Sequence, residues 1–325
     1  MKFIDLHADT LMHTSLTGVD SLMHNSQTHL DIQRLSQGGA MAQFLAVFML
    51  NEAIFKKQNR PIISDREYID QLYKHLQESI DKFSNSIQLA TNYETLESNQ
   101  MANNISIFLT LEDGRPIGED LTRLENLYEI GFRLVTLTWN KENSIGYPNS
   151  FDKNDMRKGL KKFGFEAIEL MNSLGMVIDV SHLSDGGFYD VIETSTKPII
   201  ASHSNARALS PHPRNLSDDM IKKIAESGGV IGLNFFGKFL NKDITQNQST
   251  IKVMIEHLNH IRNMGGSEVL ALGTDFDGMS GELEIDGPDK MNLLFDALWH
   301  SGWDYGTIEK FGFQNAMRVI KDVMK

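Results

Sequence analysis

Residues 3–9 read Phe3-Ile4-Asp5-Leu6-His7-Ala8-Asp9, an apolar stretch that runs directly into a histidine and an aspartate. Seven further short apolar runs follow, each bounded by polar or helical sequence: Ala42–Phe48, Ile105–Leu111, Arg133–Leu137, Met176–Val180, Pro198–Ser202, Val230–Asn234 and Val269–Gly273. They are continuous rather than alternating, as strands covered on both faces require. Eight such strands separated by helical sequence predict an α/β fold, a (β/α)8 TIM barrel.

The stretches between them carry helical periodicity. Ser64 and Glu67 form a capping-box pair ahead of Ile69, Leu72, Leu76 and Ile80. Leu121, Leu124, Leu127 and Ile130 precede Gly131, and Leu160, Phe163, Ala167, Leu170 and Leu174 precede Gly175. Each glycine stands where a helix is expected to stop. Ile251, Met254, Ile255, Leu258 and Ile261 run up to Gly265 and Gly266 in the same way. With no internal repeat and no linker rich in Pro, Gly or Ser, the expectation is one domain over residues 1–325. A mainly helical insertion is expected around residues 51–104.

Composition narrows the chemistry. The chain has 325 residues and no cysteine, which removes disulfides, thiol nucleophiles and thiolate-bound metal and leaves His, Asp and Glu as the strong ligands. Its 43 acidic against 31 basic residues give a net charge of −12, the wrong sign for a nucleic-acid partner. Asp5 comes too early for the apolar segment of a signal peptide. The nearly apolar run Met41–Leu50 is about half the ~20 residues needed to span a bilayer. A cytoplasmic protein without a membrane partner is the expectation.

The ionisable residues fall at the ends of the apolar runs. His7 and Asp9 follow the first, Glu112 the third, His182 the fifth, His203 the sixth and Asp275 the eighth. In a TIM barrel these ends converge on one rim, where active sites sit. A charge beside an apolar run is costly unless paired or metal-bound. Residues i and i+2 of an extended segment point the same way, so His7 and Asp9 can share a cation; the alternative is an aspartate that merely orients a histidine. Glu112 can bridge two cations through its two oxygens, or serve only as a helix cap or a surface ion pair. Neutral imidazoles such as His182 and His203, combined with carboxylates, suit zinc or a related divalent metal. In Gly273-Thr274-Asp275-Phe276-Asp277-Gly278, Asp275 is read as facing the metals and Asp277 as supporting the loop. Of the other histidines, His24, His29, His75 and His300 lie in polar or helical contexts without partners at ligand spacing, His257 and His260 are read as surface residues, and His13 lies close to the site in sequence.

The segments Ile4-Asp5-Leu6-His7-Ala8-Asp9-Thr10, Thr110-Leu111-Glu112-Asp113-Gly114, Asp179-Val180-Ser181-His182-Leu183-Ser184-Asp185, Ala201-Ser202-His203-Ser204-Asn205-Ala206-Arg207-Ala208-Leu209 and Gly273–Gly278 occur in this order. Together they resemble the renal (membrane) dipeptidase family. The closing Gly312–Val319 also resembles that family's C-terminal helix, so the likeness covers nearly the whole chain. It implies a barrel hydrolase with two zinc ions: His7 and Asp9 on one, His182 and His203 on the other, and Glu112 bridging. It further implies that Asp275 handles protons, that Arg214 holds the carboxylate of a dipeptide substrate, and that the protein pairs as a homodimer. The alternative for Arg214 is a surface loop arginine.

Two positions depart from the family pattern. Trp139 stands where mammalian members place a substrate-side histidine, so a substrate-binding role for Trp139 excludes proton transfer. Asp113 follows Glu112 where glycine is commoner. The expected function is hydrolysis of dipeptides by a metal-activated water. Two other readings are a metal-dependent amidohydrolase acting on N-acyl amino acids or lactams, and an inactive barrel used for binding.

Overall fold

A computed structural model describes residues 1–325. All eight expected strands form: β1 (Phe3–Ala8), β2 (Ala40–Phe48), β3 (Ile105–Glu112), β4 (Phe132–Thr136), β5 (Val177–Asp179), β6 (Ile200–Ala201), β7 (Val230–Leu233) and β8 (Leu270–Leu272). They pair in parallel, β1 with both β2 and β8, and β2 with β3 from Ala42↔Ser106 to Phe48↔Glu112. The remaining neighbours follow in chain order, and the barrel closes. A short strand, Ile87–Leu89, pairs with the start of β3, below the point where β4 joins it. It covers backbone groups that the shorter β4 leaves open.

Every barrel strand contributes to a compact apolar cluster: Ile4, Phe44, Phe108, Leu134, Val177, Ile200, Val230 and Ala271. Phe44 and Phe108 stack at 4.6 Å within it. The C-terminal helix, Asn315–Val323, adds Ala316, Val319, Ile320 and Val323 and packs against β1, β7 and β8. The barrel interior is therefore packed solid and stoppered at one end, so only the opposite end can hold a site. A larger apolar layer lies between the barrel and its helices.

The helix signals hold with small shifts. Asp65–Lys82 carries the Ser64–Glu67 box, with Glu67 N–H donating to Ser64 Oγ (3.3 Å) and Ser64 N–H to Glu67 Oε2 (2.9 Å). The helix expected from Leu160 starts at Lys162 and ends at Gly175, whose φ of +83° is the left-handed cap that glycine supplies. Residues 51–104 hold three helices, Glu52–Lys57, Asp65–Lys82 and Tyr93–Met101, together with the extra strand. No helix is long and apolar enough to cross a membrane.

Candidate metal centre and substrate cleft

Two buried carboxylates brace the strands beneath the open rim. Asp5 of β1 accepts from Thr274 N–H (2.9 Å), Thr274 Oγ1 (2.7 Å) and Gln43 Nε2 (3.1 Å), tying β1 to β2 and β8. Asp179 of β5 accepts from Ser181 N–H (2.9 Å), Ser202 N–H (2.8 Å), Thr136 Oγ1 (2.6 Å) and Ser202 Oγ (2.6 Å), tying β4, β5 and β6. The Ser202 hydroxyl thus gives its proton to Asp179 and accepts from His203 Nδ1 (2.7 Å). That fixes the His203 tautomer and leaves its Nε2 lone pair facing the rim.

Above this layer the six rim residues expected from the sequence come together, all buried. Glu112 lies between two sets of atoms. Its Oε2 is 3.4 Å from His7 Nε2, which is 3.5 Å from Asp9 Oδ2. Its Oε1 is 3.0 Å from His182 Nε2 and 3.5 Å from His203 Nε2. His7 and His203 stack at 3.8 Å. Two groups have ligand atoms within 4.8 Å of one another: His7, Glu112 and His203, and His7, Asp9 and Asp275.

The hydrogen bonding of this cluster fits a cation. Both ring nitrogens of His7, Asp9 Oδ1 and His182 Nδ1 are buried without a hydrogen-bond partner, an expensive state for atoms of this kind. Three carboxylates share the space. Burial first, and then the charge of Asp9, raises Glu112 to about 8. Burial likewise raises Asp275 to about 7. Burial, reinforced by Arg214 and His7, pushes His182 and His203 well below the ordinary histidine range, so both stay neutral and able to donate lone pairs. Burial also opposes charge on His7, but Glu112 and Asp9 outweigh it and hold that ring well above its usual value.

Local backbone strain collects at the rim. Of the six non-glycine residues with positive φ, four are Asp113 (+79°), His182 (+69°), Asp275 (+64°) and Asp277 (+68°). Each costs roughly 1–2 kcal/mol and persists only where surrounding contacts enforce it. The His182 carbonyl accepts from Asn149 N–H (2.7 Å), Asn149 Nδ2 (2.9 Å) and Thr138 Oγ1 (3.2 Å). Asp275 accepts from Asn234 Nδ2 at 2.9 Å. Asp277 supports its loop as expected, receiving Thr10 Oγ1 at 2.6 Å and His29 N–H at 2.6 Å. The left-handed φ of Asp113 also explains why glycine suits that position. Here the carboxylate compensates by accepting from Asn143 Nδ2 (2.8 Å) and Arg115 N–H (3.0 Å).

A cleft of about 530 Å³ opens over the cluster. Arg214 lines it from a buried position: one amino group donates to the His203 carbonyl (3.0 Å), the other to Ser204 Oγ (3.2 Å), and Nε has no partner. The surface-loop alternative for Arg214 is thereby excluded. Trp139 lines the same cleft, edge-to-face with Phe48 at 4.8 Å and 6.5 Å from the His182 ring.

The structure adds residues that the sequence reading passed over: Asp5, Asp179, Ser202, Asn149, Asn234, Phe48 and His212. Asn234 sits at the end of an apolar run, the same signal that singled out the six rim residues, whereas Asp179 lies inside one. His257, expected on the surface, is fully buried; its Nδ1 accepts from Ala206 N–H (3.1 Å) and its Nε2 donates to the Leu240 carbonyl (2.8 Å). His260 is half-buried and reaches Asp218 Oδ1 at 2.6 Å.

Comparison with known proteins agrees with this geometry. The family model described as membrane dipeptidase (peptidase family M19) matches residues 1–325. An uncharacterised protein of the pqqA 5′ region of Klebsiella pneumoniae is 36% identical over 207 residues, 62% of this chain and 75% of that one. Dipeptidase tcpJ of Claviceps purpurea is 27% identical over 304 residues, 91% of this chain and 69% of its own. Among solved structures, a metallopeptidase from Rhodobacter sphaeroides superposes with a TM-score of 0.92 at 24% identity, covering 99% of both chains. The metallopeptidase dipeptidase AC gives 0.91 at 24% identity, covering 100% of this chain and 99% of its own. These two likenesses carry the barrel fold. The match over the whole chain decides the family: this protein belongs to the membrane dipeptidases, peptidase family M19.

Proposed function

We propose that this metal-dependent dipeptidase works through two divalent cations, zinc being the metal best suited to the donor set, bound on the two sides of Glu112. His7 and Asp9 would hold one, His182 and His203 the other, with Glu112 shared. The observation that carries this reading is the split of the Glu112 carboxylate, one oxygen toward each set. Bound cations would lower the pKa of a water toward neutrality and stabilise negative charge developing on the peptide carbonyl oxygen.

The protein's own groups supply the rest. Asp275, steadied by Asn234, can take a proton from the attacking water and return it to the departing amine. Arg214 offers a guanidinium with unused donors to the substrate's terminal carboxylate, a forked contact that favours short peptides. Trp139 has no proton to exchange at neutral pH, so it shapes the cleft. The Rhodobacter sphaeroides metallopeptidase was solved with a phosphinate mimic of the dipeptide L-Ala-D-Ala, which supports including D residues among the substrates tried.

Metal analysis of the purified protein, paired with a dipeptide panel run with and without chelator, tests the proposal. The expected result is about two metal equivalents per chain, with activity lost on chelation and restored by zinc. Less than one equivalent, and no hydrolysis after zinc is added, would overturn it.

A further inference from the structure

The cleft has two aromatic walls. One lies on the β6–β7 side, where the Arg214 guanidinium sits 5.3 Å from the centre of the Phe239 ring and His212 packs against Phe239 at 4.6 Å. The other lies on the β2–β4 side, where Phe48 ends β2, Trp139 follows β4 and Met12 lines the same cleft. The two walls stand on opposite arcs of the rim, with the His–Asp–Glu cluster between them.

Resting on the dipeptidase reading, this geometry orders the substrate. A carboxylate on Arg214 places the C-terminal residue beside Phe239 and the scissile carbonyl over the cluster. The N-terminal residue then reaches the Phe48–Trp139 wall. No lysine lines the cleft, its carboxylates Asp9, Glu112 and Asp275 all belong to the cluster, Arg214 is taken by the substrate's carboxylate, and Asn140, Asn149 and Ser150 add only neutral polar groups. A charged first side chain would lose its hydration against Phe48 and Trp139 and gain no ion-pair partner. For a lysine, desolvation of the ammonium exceeds the cation–π attraction on offer.

We infer that the Phe48–Trp139 wall sets specificity for the N-terminal residue, and that the enzyme selects dipeptides whose first side chain is apolar over those beginning with Asp, Glu or Lys. The wall is well placed for discrimination because its loop is pinned: Thr138 and Asn149 both donate to the His182 carbonyl. A surface held this firmly does not reshape around a poor substrate.

The test is kcat/KM for Leu–Ala, Phe–Ala, Gly–Ala, Asp–Ala and Lys–Ala, using metal-loaded wild type, Trp139→Ala and Trp139→Phe. Wild type should favour Leu–Ala and Phe–Ala over Asp–Ala and Lys–Ala by about tenfold or more. Trp139→Ala should lower Leu–Ala and Phe–Ala about tenfold further than Gly–Ala, chiefly through KM, and Trp139→Phe should keep the wild-type ranking. Equal turnover of Asp–Ala or Lys–Ala and Leu–Ala by wild type would overturn the inference. So would a uniform drop across the panel in Trp139→Ala. If metal-loaded wild type cleaves none of the five, the dipeptidase reading itself falls and takes this inference with it, an outcome distinct from a flat preference.

Discussion

The two sides of Glu112 are held in place by different means. On the β5–β6 side, His203 is oriented through Ser202 to Asp179, and the His182 carbonyl takes three hydrogen bonds. On the β1–β8 side, His7 has no hydrogen bond to either ring nitrogen and is positioned by its stack on His203, while Asp9 keeps one oxygen unpaired. One half of the centre is pre-oriented by protein. The other lacks such braces, so its geometry depends more on packing than on polar contacts.

Crowding the packed side should have the largest effect. A Cβ at Gly278 would collide with Asp9 Oδ2 and Asp275 Oδ1, because the backbone passes directly beneath both carboxylates. Gly278→Ala should therefore lower kcat/KM by about 10²-fold or more, the usual consequence of displacing catalytic groups by an ångström. The loss of one metal equivalent should accompany it. Near-normal activity with two metals bound would show that the β1–β8 side tolerates displacement, and the contrast between the halves would collapse.

Weakening the braced side should cost less. Asp179→Asn puts an amide where two of four donors now meet an acceptor, so Ser202 loses its proton acceptor and His203 its orientation. The expected loss is about 10- to 100-fold in affinity for one of the two metals, read by competitive titration with a chelator. Unchanged affinity would mean that Asp179 only ties strands together.

The last effect falls on stability alone and leaves the centre untouched, because it concerns a brace outside the rim. His257 joins the Arg214-bearing loop to the segment after β7 through Ala206 and Leu240. Burial holds its pKa down at about 4, so the ring stays neutral in the fold while the unfolded chain takes up a proton near 6.5. This contribution to stability is complete above pH 6.5 and is lost as pH falls toward 4, a decline of up to about 3 kcal/mol. Urea midpoints measured across that range should fall in wild type and change less in His257→Gln. An equal slope in both would remove His257 from the acid response.

Much of this was legible in the sequence because parallel barrel strands are buried on both faces and read as unbroken apolar runs. Ionisable residues at their ends stood out for the same reason: His7, Glu112, His182, His203 and Asp275 each interrupt a pattern. What stayed hidden was polar but structural. Asp5 and Asp179 lie within strands, and only three-dimensional neighbours distinguish a brace from a ligand. The strained φ of Asp113 could not be seen in an Asp-Gly pair. His257 is legible after all, since it falls on the buried stripe of Met254, Leu258 and Ile261.

The three donors on the His182 carbonyl have a consequence for anyone redesigning this protein. A loop that lines the cleft and a histidine of the buried cluster meet at a single oxygen atom. Loop exchange, the ordinary way to retune a barrel enzyme, is here also an edit to the position of a cluster histidine. New specificities will be reached more readily by changing Trp139 within the existing backbone than by grafting a new 138–151 segment.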